Sequence, residues 1–304
     1  MFEGGAWEYD EGLDEYYLHV FAKKQPDLNM DNPKVREEVK RIMQFWLDMG
    51  VDGFREDVIT FISKTEGLPD SHPWLPAANG YKYYSNGPRV HQYLMEFKRD
   101  VLDCYDCFTV GESPLTTADI ALQYVTEGPD QVLDEMIAFS HMEADCFMTD
   151  FVPRPFDLKK MKRAFTTWQK KLEGKGWNAL YIENHDHPRI ISRYGSEQYW
   201  KESGKMLAAM YMLQRGTPFI YQGQEIGMLN IALPRLDMYK DVMTFNAARI
   251  AGKLMPKGRV LKLIQARSRE NARTPMQWSG EANAGFSTAA PWFYVNSNYH
   301  TINV

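Results

Sequence analysis

The chain has 304 residues, 44% hydrophobic and 13% aromatic, enough to bury a large core in one or two domains. Its 35 basic and 40 acidic side chains leave a net charge of −5, which argues against nucleic acid or an anionic membrane as a partner. No run of about 18 apolar residues occurs, so no membrane span is expected, and the acidic stretch from Met1 to Asp14 lacks an apolar signal core.

Residues 1–17 are rich in Gly, acidic and aromatic side chains and carry no helix or strand signature. Asn32-Pro33 predicts a helix start, a capping side chain followed by proline in the first turn. Val35, Val39, Ile42, Trp46 and Met49 then recur at spacings of three and four, and Gly50 predicts the end. Residues 51–58 alternate as a strand, which turns Arg55 and Asp57 to one side. Residues 65–88 hold no sustained period and predict a long excursion. A second helix over 90–102 leads to a second strand, Phe108 to Glu112. The run from Asp157 to Leu172 predicts an amphipathic helix with Leu158, Met161, Phe165, Trp168 and Leu172 on one face. Strands over 179–182 and 218–223 flank a helix over 205–214.

This alternation argues for an α/β fold of parallel βα units. Carboxylates at the C-terminal ends of the strands point to a (β/α) barrel, whose active sites are built at that end. The three cysteines, Cys104, Cys107 and Cys146, make no disulfide framework. Cys104 and Cys107 form a C-x-x-C, but no second pair exists for zinc and no helix opens there for redox chemistry.

Asp57, Glu112 and Asp186 follow three candidate strands. An arginine two residues before Asp57 favours its ionised form, as a nucleophile for acetal chemistry requires. Hydrolysis with retention needs two carboxyl groups about 5–5.5 Å apart, one attacking the sugar and one exchanging a proton with the leaving oxygen. A third carboxylate, with His185 beside it, could bind sugar hydroxyls. Carboxylates also cap the helices that follow strands in any α/β protein, so a purely structural role stays open.

Specific motifs carry the assignment further. Gln25-Pro26-Asp27-Leu28-Asn29, Gly53-Phe54-Arg55-x-Asp57-Val58, Val110-Gly111-Glu112, Asn184-His185-Asp186 and the segment from Asn271 to Trp278 span nearly the whole chain. With them the sequence resembles the α-amylase superfamily (glycoside hydrolase family 13), most of all its oligo-1,6-glucosidase and α-glucosidase branch. The resemblance implies a partial (β/α)8 TIM barrel, about strands 4 to 8 with their helices. Residues 1–18 would be a remnant of the inserted domain B, and 19–304 the C-terminal portion of the catalytic barrel.

It also implies roles: Asp57 as nucleophile, Glu112 as acid/base, Asp186 as transition-state stabiliser, and Arg55, His185 and Arg273 as substrate-binding residues. Arg273 would pair with an aspartate in the part of the family that has no counterpart here. That part would also hold the calcium loop of many members, so no cofactor or metal is expected in this chain. The expected substrate is a small oligosaccharide, with no nucleic-acid or membrane partner and a cytoplasmic location. The expected reaction releases glucose from the non-reducing end of short α-glucosides. Val58 matches the α-1,6 pattern and Glu183 the α-1,4 pattern; the balance falls on α-1,6. Maltase activity, sucrose isomerisation and transglucosylation are the enzymatic alternatives, and an inert fragment or interaction subunit the non-enzymatic one. Glu56 stands where the family usually has methionine, and strand alternation turns it towards the helical layer, where a carboxylate needs a partner or a raised pKa.

Overall fold

The structure is a computed structural model and describes residues 5–71 and 80–304. They fall into two compact units, one of 5–141 with Lys159–Ala179 and the other of Met142–Leu158 with Leu180–Val304.

The first unit opens with an antiparallel hairpin, β1 (Trp7–Asp10) and β2 (Glu15–Leu18), in which Tyr9 stands opposite Tyr16. Helix α1 (Pro33–Asp48) starts as predicted, with the Asn32 side chain accepting from the Lys34 N–H at 3.0 Å. Its packing differs from the expectation. Val35, Val39, Met43 and Leu47, four residues apart, meet the core, whereas Ile42, Trp46 and Met49 stand exposed with Phe45. The inward stripe is rotated because α1 is clamped to α3 (Val90–Asp100) by ion pairs, Arg36 to Glu96 at 2.8 Å and Lys40 to Asp100 at 3.0 Å.

Between these helices run β3 (Gly53–Glu56) and the short α2 (Tyr81–Tyr84). Of the excursion expected over 65–88, residues 72–79 lie outside the described residues, as do 1–4 of the stretch expected over 1–18. β3 is shorter than expected: Asp57 lies just past its end, in a turn. β4 (Phe108–Glu112) pairs with it in parallel, Gly53 opposite Phe108 and Glu56 opposite Gly111. Gly53 cannot be replaced there, since a Cβ would stand 1.9 Å from the Phe108 carbonyl oxygen. After α4 (Ala118–Val125), β5 (Glu135–Ile137) adds to β4, with Glu112 opposite Ile137. The sequence motifs did not mark this strand. Tyr93, Tyr124, Val125, Leu133, Met136 and Trp168 are among the side chains that fill the core of this unit.

The hairpin β6 (Cys146–Phe147) and β7 (Thr149–Pro153) opens the second unit, and α5 (Leu158–Leu172) leads back to the first. α5 buries Met161, Trp168 and Leu172 but leaves Leu158 exposed. β8 (Ala179–Leu180) begins in the first unit, where Ala179 stands opposite Ile137 of β5 in parallel. Within the second unit follow α6 (Ile190–Tyr194), α7 (Trp200–Met212), β9 (Thr217–Pro218), α8 (Val242–Ala251) and α9 (Lys257–Arg267). β9 joins β8 through the Phe219 N–H to the Leu180 carbonyl at 2.7 Å. A core of Ile231, Leu233, Tyr239, Val260, Ile264 and Phe293 packs α8 against α9. Among the described residues no helix is long and apolar enough to cross a membrane.

Candidate active site

In the first unit the site grows from the ends of β3 and β4. Strand alternation presents Arg55 and Asp57 on one side, and the Arg55 guanidinium bonds two carboxylates there. Its Nη1 meets Asp57 Oδ1 and its Nη2 meets Glu112 Oε2 at 2.8 Å. The fork of an arginine suits this double contact. The Val58 N–H donates to the same Oε2 at 3.2 Å. Sequence reading foresaw the contact of Arg55 with Asp57 but not its second contact with Glu112.

Glu112 is buried, 8% exposed, whereas the Asp57 side chain is 72% exposed. Burial pushes the Glu112 carboxyl up to about 7. Arg55 opposes this, the neighbouring Asp57 carboxylate adds to it, and the Val58 N–H opposes it. Near neutral pH, Glu112 therefore exchanges between acid and base forms, as a proton-transfer group must.

Glu56, one residue away, faces the other side of β3. Burial, with the Asp134 charge, pushes it up to about 8, and its buried Oε2 has no hydrogen-bond partner. The expectation of a partner or a raised pKa is met by the second. A cleft of about 790 Å³ in this unit is lined among others by Phe21, Asp27, Met43, Phe54, Glu56 and Asp57. Lys64 pairs with Asp27 there, which ties the Gln25-Pro26-Asp27 motif to the loop after β3.

The second unit builds its own charged cluster after β8. The Asp186 N–H donates to Asn184 Oδ1 at 2.9 Å, and His185 Nε2 lies 3.2 Å from Asp186 Oδ2. Oδ1 of Asp186 accepts from Arg273 Nη2 at 2.7 Å and from Arg269 Nη1 at 2.9 Å. The Arg273 Nε also donates to the His185 carbonyl at 2.8 Å. Burial works to raise Asp186, but His185, Arg269 and Arg273 outweigh it and hold the carboxyl below its usual range.

Within the chain, Asp186 and, at 3.7 Å, Asp241 face the Arg273 guanidinium. Arg269 and Asp241 were missed by sequence reading, and they bond each other at 2.6 Å. The signal was the repeat of arginine four residues apart in Arg-Glu-Asn-Ala-Arg, which one turn of 3-10 helix (Arg269–Arg273) brings to one carboxylate.

Glu183, read only as a mark of linkage preference, is fully enclosed. Its Oε1 accepts from Arg189 Nη1 at 2.6 Å and its Oε2 from the Ile190 N–H at 3.0 Å. Arg189 is itself buried and also donates to the Gln222 carbonyl at 2.7 Å. Cys104 is exposed, Cys107 half-buried and Cys146 buried, and all three thiols are free. Among the described residues no group of three His, Cys, Asp or Glu side chains is arranged to hold a metal ion.

A parallel α/β sheet with charged groups at its strand ends is the frame of a (β/α) barrel, whose sites are built at that end. The chain belongs to the α-amylase family, whose catalytic domain matches residues 1–304. It is 49% identical to the oligo-1,6-glucosidase of Parageobacillus thermoglucosidasius, over all of this chain and 55% of that enzyme. Among solved structures, the trehalose-6-phosphate hydrolase of Bacillus licheniformis superposes with a TM-score of 0.90 at 41% identity, covering 99% of this chain and 54% of that one. The isomaltulose synthase of Klebsiella sp. LX3 superposes at 0.92 and 35% identity, covering 99% and 55%. The chain thus spans about half the length of the curated relatives it matches. The fold class read from the sequence stands: an α/β fold that forms part of a TIM barrel.

Proposed function

We propose that this protein acts as a retaining α-glucosidase that releases glucose from the non-reducing end of short α-glucosides, α-1,6 linkages first. Asp57 is the nucleophile and Glu112 the acid/base. In the first step Asp57 attacks the anomeric carbon while Glu112 gives its proton to the departing glycosidic oxygen. In the second, Glu112 takes a proton from water, whose oxygen displaces Asp57 from the sugar. Asp186, kept ionised by Arg269, Arg273 and the neighbouring His185, stabilises the oxocarbenium-like transition state, and His185 and Arg273 hold sugar hydroxyls.

The observation that carries the reading is the inequality of the two carboxyl groups on Arg55. One is open to solvent, and the other is buried with its midpoint pushed up to about 7. Groups so divided can serve as nucleophile and proton donor at one pH. The 49% identity to an oligo-1,6-glucosidase supports the linkage. The likeness to an isomaltulose synthase supports a second reading, in which a sugar hydroxyl instead of water intercepts the glycosyl-enzyme. On the same reading residues 1–18 belong to the inserted domain, 19–304 to the barrel, and the protein works in the cytoplasm without a cofactor.

The test is glucose release from isomaltose and from maltose by the 304-residue chain, beside Asp57→Asn. Turnover of isomaltose above maltose, lost at least about 10⁴-fold in the variant, is expected. Equal turnover in the variant would remove Asp57 from its role. Product analysis at high sugar concentration separates hydrolysis from transfer.

A further inference from the structure

Val58 follows the exposed Asp57 and has φ 42° and ψ 39°, a left-handed conformation that a β-branched residue rarely adopts. Such strain persists only where the surroundings over-determine it. They do so here from both sides. Before it, β3 is fixed by its pairing to β4, with Glu56 opposite Gly111. After it, the Phe61 N–H donates to the Val58 carbonyl at 2.8 Å, and Ile59 and Thr60 are buried in a 3-10 turn. Gly111 makes the room for that turn: a Cβ there would stand 3.0 Å from Ile59 Cγ2 and 2.5 Å from Leu133 Cδ1. The turn is thus seated directly on β4, and the chain must reverse its hand at Val58 to reach it.

We propose that Val58 is a positioning residue for Glu112: its left-handed backbone, held by Ile59 over Gly111, aims the Val58 N–H at Glu112 Oε2 and leaves Oε1 to carry the transferable proton. Oε2 accepts from two donors, Arg55 Nη2 at 2.8 Å and the Val58 N–H at 3.2 Å. Neither donor can accept a proton, so an oxygen facing both is the wrong place for the hydrogen of a neutral carboxyl. Among the described residues the charged groups that bear most on Glu112 are Arg55 and Asp57, the latter also hydrogen-bonded to it, and both lie on the segment that ends in Val58. The role of Glu112 as acid/base rests on the function proposed above; the aim of the amide does not.

The experiment is an amide-proton titration of the ¹⁵N-valine-labelled chain by NMR, with the Val58 signal identified by its loss in Val58→Ala. The Val58 amide is expected to titrate with a midpoint near that of Glu112, about 7, and to stop titrating in Glu112→Gln. A flat Val58 signal between pH 5 and 9, or a titration that survives Glu112→Gln, overturns the proposal. Val58→Gly, which adopts the same backbone without strain, is expected to raise the melting temperature by a few degrees and, when labelled with ¹⁵N-glycine, to keep a titrating amide at position 58. A lowered melting temperature there overturns the strained-backbone part. Turnover retained in Glu112→Gln would instead overturn the acid/base role, and it leaves the amide result independent.

Discussion

Glu112 ends one strand of the parallel sheet and Asp186 lies beyond another, and each bonds arginine within its own unit. Glu112 shares a single guanidinium with Asp57, and burial wins, so its carboxyl is lifted to about 7. Asp186 meets two guanidinium groups, both also facing Asp241, and an imidazole, and burial loses, so its carboxyl is held down. The difference shows that cation count per carboxylate, set against desolvation, divides the proton-carrying group from the permanently charged one. Glu56 is the limit of the series, with burial, a like charge in Asp134 and no cation.

The largest effect is expected at that limit. A carboxyl lifted to about 8 stays protonated in the fold while the unfolded chain ionises near 4.5. Its contribution to stability is full below about pH 4.5 and is lost as pH rises to about 8. Glu56→Met should therefore stabilise the chain by about 2–3 kcal/mol at pH 8 and much less at pH 5. Urea denaturation at the two pH values checks this, and an equal or lowered stability at pH 8 would refute it.

Next comes Arg269→Gln, which strips one cation from Asp186 and the nearer one from the buried Asp241. A depressed carboxylate stabilises above its unfolded pKa and loses that contribution as pH falls. The variant should be weaker by about 2 kcal/mol at pH 7, with the gap closing towards pH 3. A gap independent of pH would show that Arg269 acts by packing alone.

A smaller effect is expected of Arg55→Gln, which removes the lone cation from Glu112. Its midpoint should rise by about one unit above the parent, read from the ¹³C shift of the labelled carboxyl. A fall would mean that Asp57 had been protonated in its place. Smallest of all is Trp46→Gln: the ring is exposed, so the melting temperature should move by less than about 2 °C.

Motif spacing located β3, β4 and β8; Glu112 ends β4, whereas Asp57 and Asp186 lie beyond the ends of β3 and β8. It also placed α1, α3 and α5 to within a few residues. β5 escaped because a three-residue strand is too short to show a period. The inward stripe of α1 was misplaced because Val35-Val39-Met43-Leu47 and Val35-Val39-Ile42-Trp46 are equally periodic, and the choice was made by salt bridges to α3 from far along the chain. Among the site residues, each partner that lay beside its target in sequence was legible. Arg55 to Glu112 and Arg269 to Asp186 were not, since nothing local records which strand ends become neighbours. The hand of the backbone at Val58 was equally hidden, because valine is a residue that local preference would never place there.

The flank of α1 that bears Ile42, Phe45, Trp46 and Met49 faces water, and β3 is hydrogen-bonded on one edge alone among the described residues. In colloidal terms the chain is a particle with exposed adhesive patches, this flank among them, and a weak net repulsion of −5 charges. Excluded salts such as sulfate strengthen apolar contact while screening that repulsion, and cold weakens apolar contact. The second virial coefficient of its solutions should then turn negative as sulfate is added and recover on cooling, so dilute, low-salt, chilled buffer is the medium in which this particle stays apart from its copies.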